Sequence, residues 1–465
     1  MRKKGLLKLI LPISLIVALA VALPASGCIP RALAPAKGPV KVGLIGGVDS
    51  DFGKCSNRCA LIAIEEINEA GGILGGRLLE PVLADTHEDV TEAIKAYEYL
   101  NEVEKVDFII SYCTDDESLG WMPRLAEYKT PTIDTWTSAI RMIEQVRDEY
   151  DKYKSYFMTH PNDYFQGVEY VEFARDILAG EMGWSTVVLF YEDTAYGLGV
   201  AEYIRDEIAP GAGIEVLDEI VFDIETFDFA PLYSKMIDID PDFIYIISSV
   251  KSIPVSAAYV ELEVPIPLAG VNAAAPWPEF WDDMGGLAVG FCGQTPMPNF
   301  GTLLDPVSQA LRDKYEAKYT TRPTSPSDNA WDLYYGLYMA AEAADRAGGF
   351  KPLDAWVEEM LKTDYILWRY GGWERRDDLS PTGKDLMWFR YQFYRPGEVE
   401  PYVKGLTYPH NIMIDQGYGE ELQGMANEVL QWYPDGSFRT IHPPRWATGE
   451  FYLPPWIPPE KRGGK

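Results

Sequence analysis

Several residues and motifs that mark common enzyme classes are scarce or missing. The chain of 465 residues has only four histidines, and they form no HExxH pair for zinc. It contains no GxSxG elbow and no GxxxxGK[ST] phosphate loop, and Gly43, Gly46 and Gly47 do not complete GxGxxG. These absences remove the motif evidence for a metalloprotease, a serine hydrolase, a P-loop enzyme or a dinucleotide-binding enzyme. We therefore expect no catalytic residues, no metal and no cofactor.

Cysteine is also scarce, with five residues in the whole chain. The four after position 28 lack the paired CxxC units of a zinc site. Cys55 and Cys59 lie one helical turn apart near a predicted helix start, and Cys113 ends a predicted strand. In an oxidising compartment Cys113 could bridge to either of them. The alternative is that all four, including Cys292, are buried free thiols, and the sequence leaves both open.

Positive charge is in short supply, because 41 basic side chains face 71 acidic ones and the formal net charge is -30. Such a surface repels the phosphate backbone of nucleic acids and anionic lipid headgroups. We therefore expect no nucleic-acid partner. The acidity names no ligand, since it is also typical of a well-solvated surface.

Long apolar runs are confined to the N-terminus. Basic residues at positions 2, 3, 4 and 8 precede the uncharged run Leu9–Leu23, which is short for a membrane span and typical of a signal peptide. Small residues then precede Cys28, as in a bacterial lipobox. We expect residues 1–27 to be a signal peptide and Cys28 to be lipidated, with 28–40 as anchor and linker. Plain cleavage after a small residue is the alternative.

From residue 41 onward, β-branched strands alternate with amphipathic helices. This pattern predicts an α/β fold in which parallel sheets are covered on both faces. The pattern restarts near Ser185, which indicates two Rossmann-like lobes. The predicted lobe 1 comprises residues 41–158 with 292–400 returning to it. The predicted lobe 2 comprises 159–291 with 401–442 returning, and an irregular tail covers 443–465.

Four stretches carry a resemblance to a known family, and together with the N-terminal signal and spacer they extend over most of the chain in the expected order. They are residues 65–80 (EEINEAGGILGGRLLE), 191–199 (YEDTAYGLG), 310–316 (ALRDKYE) and 431–437 (QWYPDGS). The chain resembles the type I periplasmic solute-binding proteins, in the branch that includes the leucine/isoleucine/valine-binding proteins of ABC transporters. The resemblance implies two Rossmann-like lobes, a three-segment hinge and a small ligand in the cleft between them.

The resemblance also implies which residues contact the ligand. In open α/β sheets, ligands lie beyond the carboxyl ends of the strands. The family's ligand residues fall on lobe-1 loops and on lobe 2: Thr114, Ser118, Trp136, Thr137, Ser138, Tyr196 and Asn272. Amino-acid binders place a carboxylate for the ligand's ammonium group where this chain has Asn272. Either Asp115, Asp116, Glu117 or Asp134 supplies that charge, or the ligand is not an α-amino acid.

The resulting expectation is an exported solute-binding lipoprotein that captures an amino acid or related small amide or carboxylate. It would be held at the membrane by its anchor and deliver the solute to the permease of an ABC transporter. One alternative is a ligand-sensing receptor domain of the same fold. Another is a secreted carbohydrate-active enzyme, for which the 13 tryptophans and 29 tyrosines would suit sugar stacking. The aromatic segment 365–409 has no assigned role.

Overall fold

The computed structural model describes residues 38–277, 279–295, 303–304, 306–319, 328–370, 386–399, 405–413, 428–442, 444 and 447–463. The predicted signal peptide, Cys28 and most of the predicted linker lie outside these ranges. In the described ranges, no helix is long and apolar enough to cross a membrane.

Lobe 1 is built on a five-stranded parallel sheet with the order β2-β1-β3-β4-β5. Its strands are β1 (Val40–Gly46), β2 (Leu79–Asp85), β3 (Phe108–Ser111), β4 (Thr132–Asp134) and β5 (Tyr156–Met158). The first helices around this sheet are α1 (Asp51–Glu69), α2 (Val90–Tyr99), α3 (Asp115–Tyr128), α4 (Ile140–Asp148) and α5 (Tyr150–Tyr153). Near-continuous apolar strands such as β3 are fully buried, as expected for a parallel sheet with both faces covered.

Lobe 2 repeats this plan with a four-stranded parallel sheet of order β7-β6-β8-β9. The strands are β6 (Thr186–Glu192), β7 (Glu215–Phe222), β8 (Phe243–Ser248) and β9 (Leu268–Asn272). The helices are α6 (Asp163–Phe173), α7 (Ala195–Tyr203), α8 (Ala209–Ala212), α9 (Ala230–Ile239), α10 (Ser252–Glu261) and α11 (Phe280–Asp283). The predicted α/β fold with two parallel-sheet lobes is therefore confirmed.

A second, antiparallel sheet extends lobe 2 with strands from distant parts of the chain. β10 (Cys292–Thr295), β14 (Glu428–Trp432) and β15 (Phe438–His442) form it in the order β10-β14-β15. Cys292 packs in the lobe-2 core with Val429 and Ile441. Residues 292–295 thus lie in lobe 2, where the sequence had assigned them to lobe 1.

The segment after β10 returns to lobe 1. It contains β11 (Leu303–Leu304), α12 (Pro306–Tyr319), α13 (Asp328–Ala347), α14 (Leu353–Met360), β12 (Tyr365–Tyr370) and β13 (Leu386–Tyr391). α13 packs against α1, where the hydroxyls of Tyr334 and Tyr338 donate to Glu66 at 2.5 and 2.7 Å. The three helices of this segment contribute buried side chains to the lobe-1 core.

The aromatic segment at 365–409 contributes to lobe 1 in two ways. β11, β12 and β13 form a small antiparallel sheet, and Tyr391 and Phe393 are buried in the lobe-1 core. Tyr408 and Met413 also pack in lobe 1, although the sequence had placed residues after 400 in lobe 2. In the tail, Leu453 and Ile457 pack on lobe 2. The described chain therefore passes between the lobes three times: before α6, after β10 and after residue 413.

Candidate functional site

The first predicted ligand loop begins α3 of lobe 1. The Thr114 hydroxyl accepts from the backbone N–H of Glu117 and donates to Oε2 of the same residue, at 3.4 and 2.8 Å. This is a capping box, which satisfies free N–H groups at a helix start. The Thr114 hydroxyl is therefore already engaged in holding the helix. Ser118, one turn further on, is completely buried beside Asp134.

The second predicted loop follows β4 and surrounds a buried acid. Asp134, at the end of the strand, has no exposed surface, and its Oδ2 accepts a 3.3 Å hydrogen bond from the Tyr156 hydroxyl. Burial raises the pKa of Asp134 to about 7. The Thr137 hydroxyl lies 3.1 Å from the same tyrosine oxygen. Thr137 and Tyr156 thus form a polar layer at the carboxyl end of the sheet.

Trp136 and Ser138 lie where the lobes meet. Trp136 is half-buried and packs against apolar residues of both lobes, so it is a contact between them. The Ser138 hydroxyl accepts a 2.6 Å hydrogen bond from the side chain of Gln166 on α6. The structure therefore brings Ser118, Trp136, Thr137 and Ser138 to one end of the lobe-1 sheet, as the sequence had predicted.

Two acidic side chains occupy the N-terminus of α4. Asp115 Oδ1 accepts from the backbone N–H groups of Ser138 and Ala139 at 2.7 and 3.1 Å. Asp163, the first residue of α6, accepts from the N–H of Ile140 through Oδ2 at 3.3 Å. Both aspartates are buried, and burial raises the pKa of Asp115 to about 6. The same cause raises the pKa of Asp163 well above its usual value.

Lobe 2 closes over these groups with the first turn of α7. Tyr196 lies in this turn and is half-buried. Burial raises the pKa of its phenol, and the charges of Asp163 and Asp115 raise it further. Gly199 is required nearby, because a Cβ atom there would lie 2.6 Å from Asp163 Oδ2.

A further hydrogen bond joins the lobes, in addition to those from Gln166 to Ser138 and from Ile140 to Asp163. The backbone N–H of Ala195 at the start of α7 donates to Asp116 Oδ2 on α3 at 3.2 Å. A carboxylate at a helix N-terminus is favourable because the unpaired N–H groups and the helix dipole both attract negative charge. Since α3 belongs to lobe 1 and α7 to lobe 2, this contact stabilises a closed arrangement of the lobes.

Asn272, predicted at the ligand's ammonium group, is occupied elsewhere. Its amide donates to Ser252 O and Ser256 Oγ at 3.2 and 2.7 Å, and its Oδ1 accepts from the N–H groups of Ala274 and Ala275. An asparagine side chain has two donor hydrogens and two acceptor lone pairs, so all four are used within lobe 2. In this arrangement Asn272 organises the turn after β9 and has nothing left to offer a ligand.

Sequence reasoning missed two acidic groups at this site. Asp163 was not identified, although Asn162 before it is a helix N-cap signal. Glu192, at the end of β6, is fully buried and accepts from the N–H groups of Ser249, Val250 and Lys251. It thereby holds the loop after β8. The four cysteines after position 28 are buried free thiols, so the Cys113 bridge does not form.

The site lacks a metal-binding arrangement. In the described part of the chain, no group of three or more His, Cys, Asp or Glu side chains could hold a metal ion. What the site offers is a set of buried acidic and hydroxyl groups with two half-buried aromatic rings, enclosed by the two lobes.

Comparison with known proteins defines the family. The family model for periplasmic binding proteins matches residues 39–369. A putative branched-chain amino acid ABC transporter protein from Silicibacter pomeroyi has 20% identity and a TM-score of 0.67, covering 90% of this chain and 100% of that one. A leucine-binding protein from Thermotoga maritima has 22% identity and a TM-score of 0.64, covering 86% and 97%.

A solute-binding protein from Rhodopseudomonas palustris, solved in complex with benzoate, has 15% identity and a TM-score of 0.64, covering 90% of this chain and 99% of that one. A sequence comparison with curated proteins finds no match. The structural similarities agree with the two-lobed fold, and the family model spans both lobes. The chain belongs to the periplasmic binding protein family.

Proposed function

We propose that this chain is an extracytoplasmic solute-binding protein that delivers a small organic molecule to the permease of an ABC transporter. The family match supports a binding protein over the carbohydrate-active enzyme alternative. Solved neighbours in the fold include ABC transporter proteins. The N-terminal pattern ending in Cys28 supports export and a lipid anchor at the membrane, which residues outside the described ranges would provide.

One observation carries this proposal: two lobes close over a polar, buried site at the carboxyl ends of their sheets. The hydrogen bond from Ala195 to Asp116 joins the lobes at the edge of this site. A ligand that contacts both lobes would favour the closed form, because it has more partners there than in an open form. The closed form then presents a surface that differs from that of the open form, and a permease can recognise this surface.

The proposed ligand contacts are Ser118, Trp136, Ser138 and Tyr196, with Thr137 behind them. Thr114 and Asn272 stay predictions, because each would have to give up a hydrogen bond within its own lobe to bind a ligand. An amino acid or a related amide or carboxylate is the family-guided solute. The solved neighbours include complexes with isoleucine, 3,4-dihydroxybenzoic acid and benzoate, so the fold accommodates different solute charges.

Ligand-driven closure can be measured by energy transfer between the lobes. Lys95 on α2 and Lys235 on α9 are exposed and lie in lobes 1 and 2, so cysteines placed there can carry a donor and an acceptor dye. The native thiols after position 28 are buried and should not compete for the dyes. We expect one solute class to change the transfer efficiency in a saturable way with 1:1 stoichiometry. A transfer efficiency that no solute changes would contradict the proposal.

A further inference from the structure

The backbone N–H groups in the first turn of α4 can bind a negatively charged group, and two side chains of the protein already occupy them. The backbone N–H groups of residues 138, 139 and 140 point to this helix start, and Ala139 at the N-cap has no capping side chain. Free N–H groups at a helix N-terminus would suit a ligand carboxylate. Here Asp115 and Asp163 take all three of them. A carboxylate ligand therefore finds these N–H groups occupied and meets two buried carboxyl groups beside them.

Each of these aspartates also has an unused oxygen. Asp115 Oδ2 and Asp163 Oδ1 are buried without any hydrogen-bond partner in the described structure. The two side chains are only 6% and 3% exposed, so they lie away from bulk solvent. Among described residues, no lysine, arginine or histidine forms an ion pair with either one. A buried carboxylate oxygen without a partner is costly, which marks a place for a donor that is not part of the protein.

The charged side chains around the two aspartates do not supply a donor for these two oxygens. Arg141 lowers the pKa of Asp163 through its charge, but it is an exposed side chain at the rim. Glu202 and Asp115 act in the opposite direction on Asp163. His160 lowers the pKa of Asp115, yet its ring is bonded to Asp332 at 3.2 Å. Burial is the largest effect on both aspartates and outweighs these partial offsets.

The surroundings suit a small cationic head group. A cavity of about 40 Å³ adjoins Asp163, between Ala139 and Arg141 on one side and Tyr164 and Gly199 on the other. This closed space is large enough for about one water-sized group, such as an ammonium. Ala195 lines this cavity and Tyr196 follows it in the first turn of α7, and aromatic faces attract organic cations. The strongly negative protein also attracts cations from solution.

Building on the proposed solute-binding function, we propose that the solute is an organic ammonium cation, which Asp115 and Asp163 bind through their two unpartnered oxygens while Tyr196 covers it. The ammonium group is the feature recognised, and a carboxylate on the solute is not required. The rest of the solute would extend between Tyr196 and Trp136, the half-buried aromatic rings contributed by lobe 2 and lobe 1.

The test compares probes of similar shape and opposite charge. Isothermal titration calorimetry of the chain from residue 29 onward would use 3-methylbutylamine, phenethylamine and choline against 4-methylpentanoate and benzoate. Phosphate buffer is needed, because amine buffers such as Tris would compete for the site. We expect at least one of the ammonium probes to bind with 1:1 stoichiometry and the two carboxylates not to bind.

Variants then locate the binding. Asp115→Asn and Asp163→Asn should each lower the affinity for the ammonium probe at least tenfold. The matched control is Asp242→Asn, because Asp242 accepts backbone N–H groups at the opposite end of the lobe-2 sheet. The affinity of the Asp242→Asn variant for the ammonium probe should equal that of the parent chain. Unfolding temperatures of all three variants show whether a loss of affinity reflects loss of fold.

Failure of the ammonium assignment can be distinguished from failure of the proposed solute-binding function. If only the carboxylates bind, or if Asp115→Asn and Asp163→Asn both keep full affinity for the ammonium probe, the ammonium assignment is wrong and the solute-binding function is retained. If no probe of either charge binds, and a wider set of neutral solutes also fails, the ammonium assignment and the proposed function both fall.

Discussion

Replacing Asp115 by asparagine should stabilise the empty protein while it weakens ligand binding. Asparagine has nearly the same shape, and its carbonyl oxygen can still accept from the N–H groups of Ser138 and Ala139. What the substitution removes is a buried negative charge. Wild-type Asp115 must bear that charge at neutral pH, because burial raises its pKa to about 6 and no higher.

The size of the effect follows from linkage. The pKa of Asp115 rises from 3.8 in the unfolded chain to about 6 in the folded protein. Between these values the folded state holds a proton that the unfolded state has released, so the free energy of unfolding falls as pH rises. Each pKa unit corresponds to about 1.4 kcal/mol, which gives about 3 kcal/mol lost by pH 8. The loss is absent below about pH 4.

Urea denaturation followed by tryptophan fluorescence measures this difference. At pH 8, Asp115→Asn should have a free energy of unfolding about 3 kcal/mol above wild type, and the gap should close as the pH approaches 4. The charge of Asp115 also raises the pKa values of Asp163 and Asp134, so its removal relieves these two neighbours and acts on stability in the same direction. A variant that is less stable than wild type at pH 8 would refute the reasoning.

Four further changes test other parts of the structure. Tyr196→Ala should lower the affinity for an ammonium probe about tenfold, whereas Tyr196→Phe should retain it, as titration calorimetry can show. Asp116→Ala should weaken binding of the same probe about threefold with the fold intact, because it removes the hydrogen bond from Ala195 and leaves the other hydrogen bonds between the lobes in place. Asn272→Asp should lower the free energy of unfolding by about 1–3 kcal/mol rather than create an ammonium site, since aspartate cannot donate to Ser256; unchanged urea denaturation would count against this. Burial lowers the pKa of His410 to about 4, so between pH 6.5 and pH 4 the unfolded state binds a proton that the folded state does not bind. Over this pH range the wild type should therefore lose about 3 kcal/mol more free energy of unfolding than His410→Gln. Equal losses in urea denaturation would contradict this.

The parallel-sheet lobes were predictable because their signals are local. Strands such as Thr186–Glu192 are short runs of buried β-branched and aromatic residues, and helices such as α1 follow them with apolar residues at helical spacing. The carboxyl ends of these strands then define one edge of each sheet. The family resemblance added the expectation that Ser118, Ser138 and Tyr196 lie near each other at these edges.

Features that depend on distant pairing were not predictable. β10 pairs with β14 through residues about 140 positions apart, and nothing in the short Cys292–Thr295 segment indicates that partner. The same limit applies to Asn272, which the family resemblance assigns to the ligand while its amide is satisfied by Ser252 and Ser256. Asp163 escaped notice because its role depends on Ile140, which lies 23 residues earlier.

The most direct test of the account is the unfolding temperature of the chain from residue 29 onward, measured at pH 8 with each ammonium and carboxylate probe. A solute that binds only the folded, closed protein stabilises it by RT ln(1 + [L]/Kd), or about 2.7 kcal/mol at a hundredfold excess over Kd. We expect a saturable rise of the unfolding temperature with an ammonium probe, and we expect this rise to disappear in the Asp115→Asn/Asp163→Asn double variant. An equal rise in the double variant, or a rise with carboxylates alone, would contradict it.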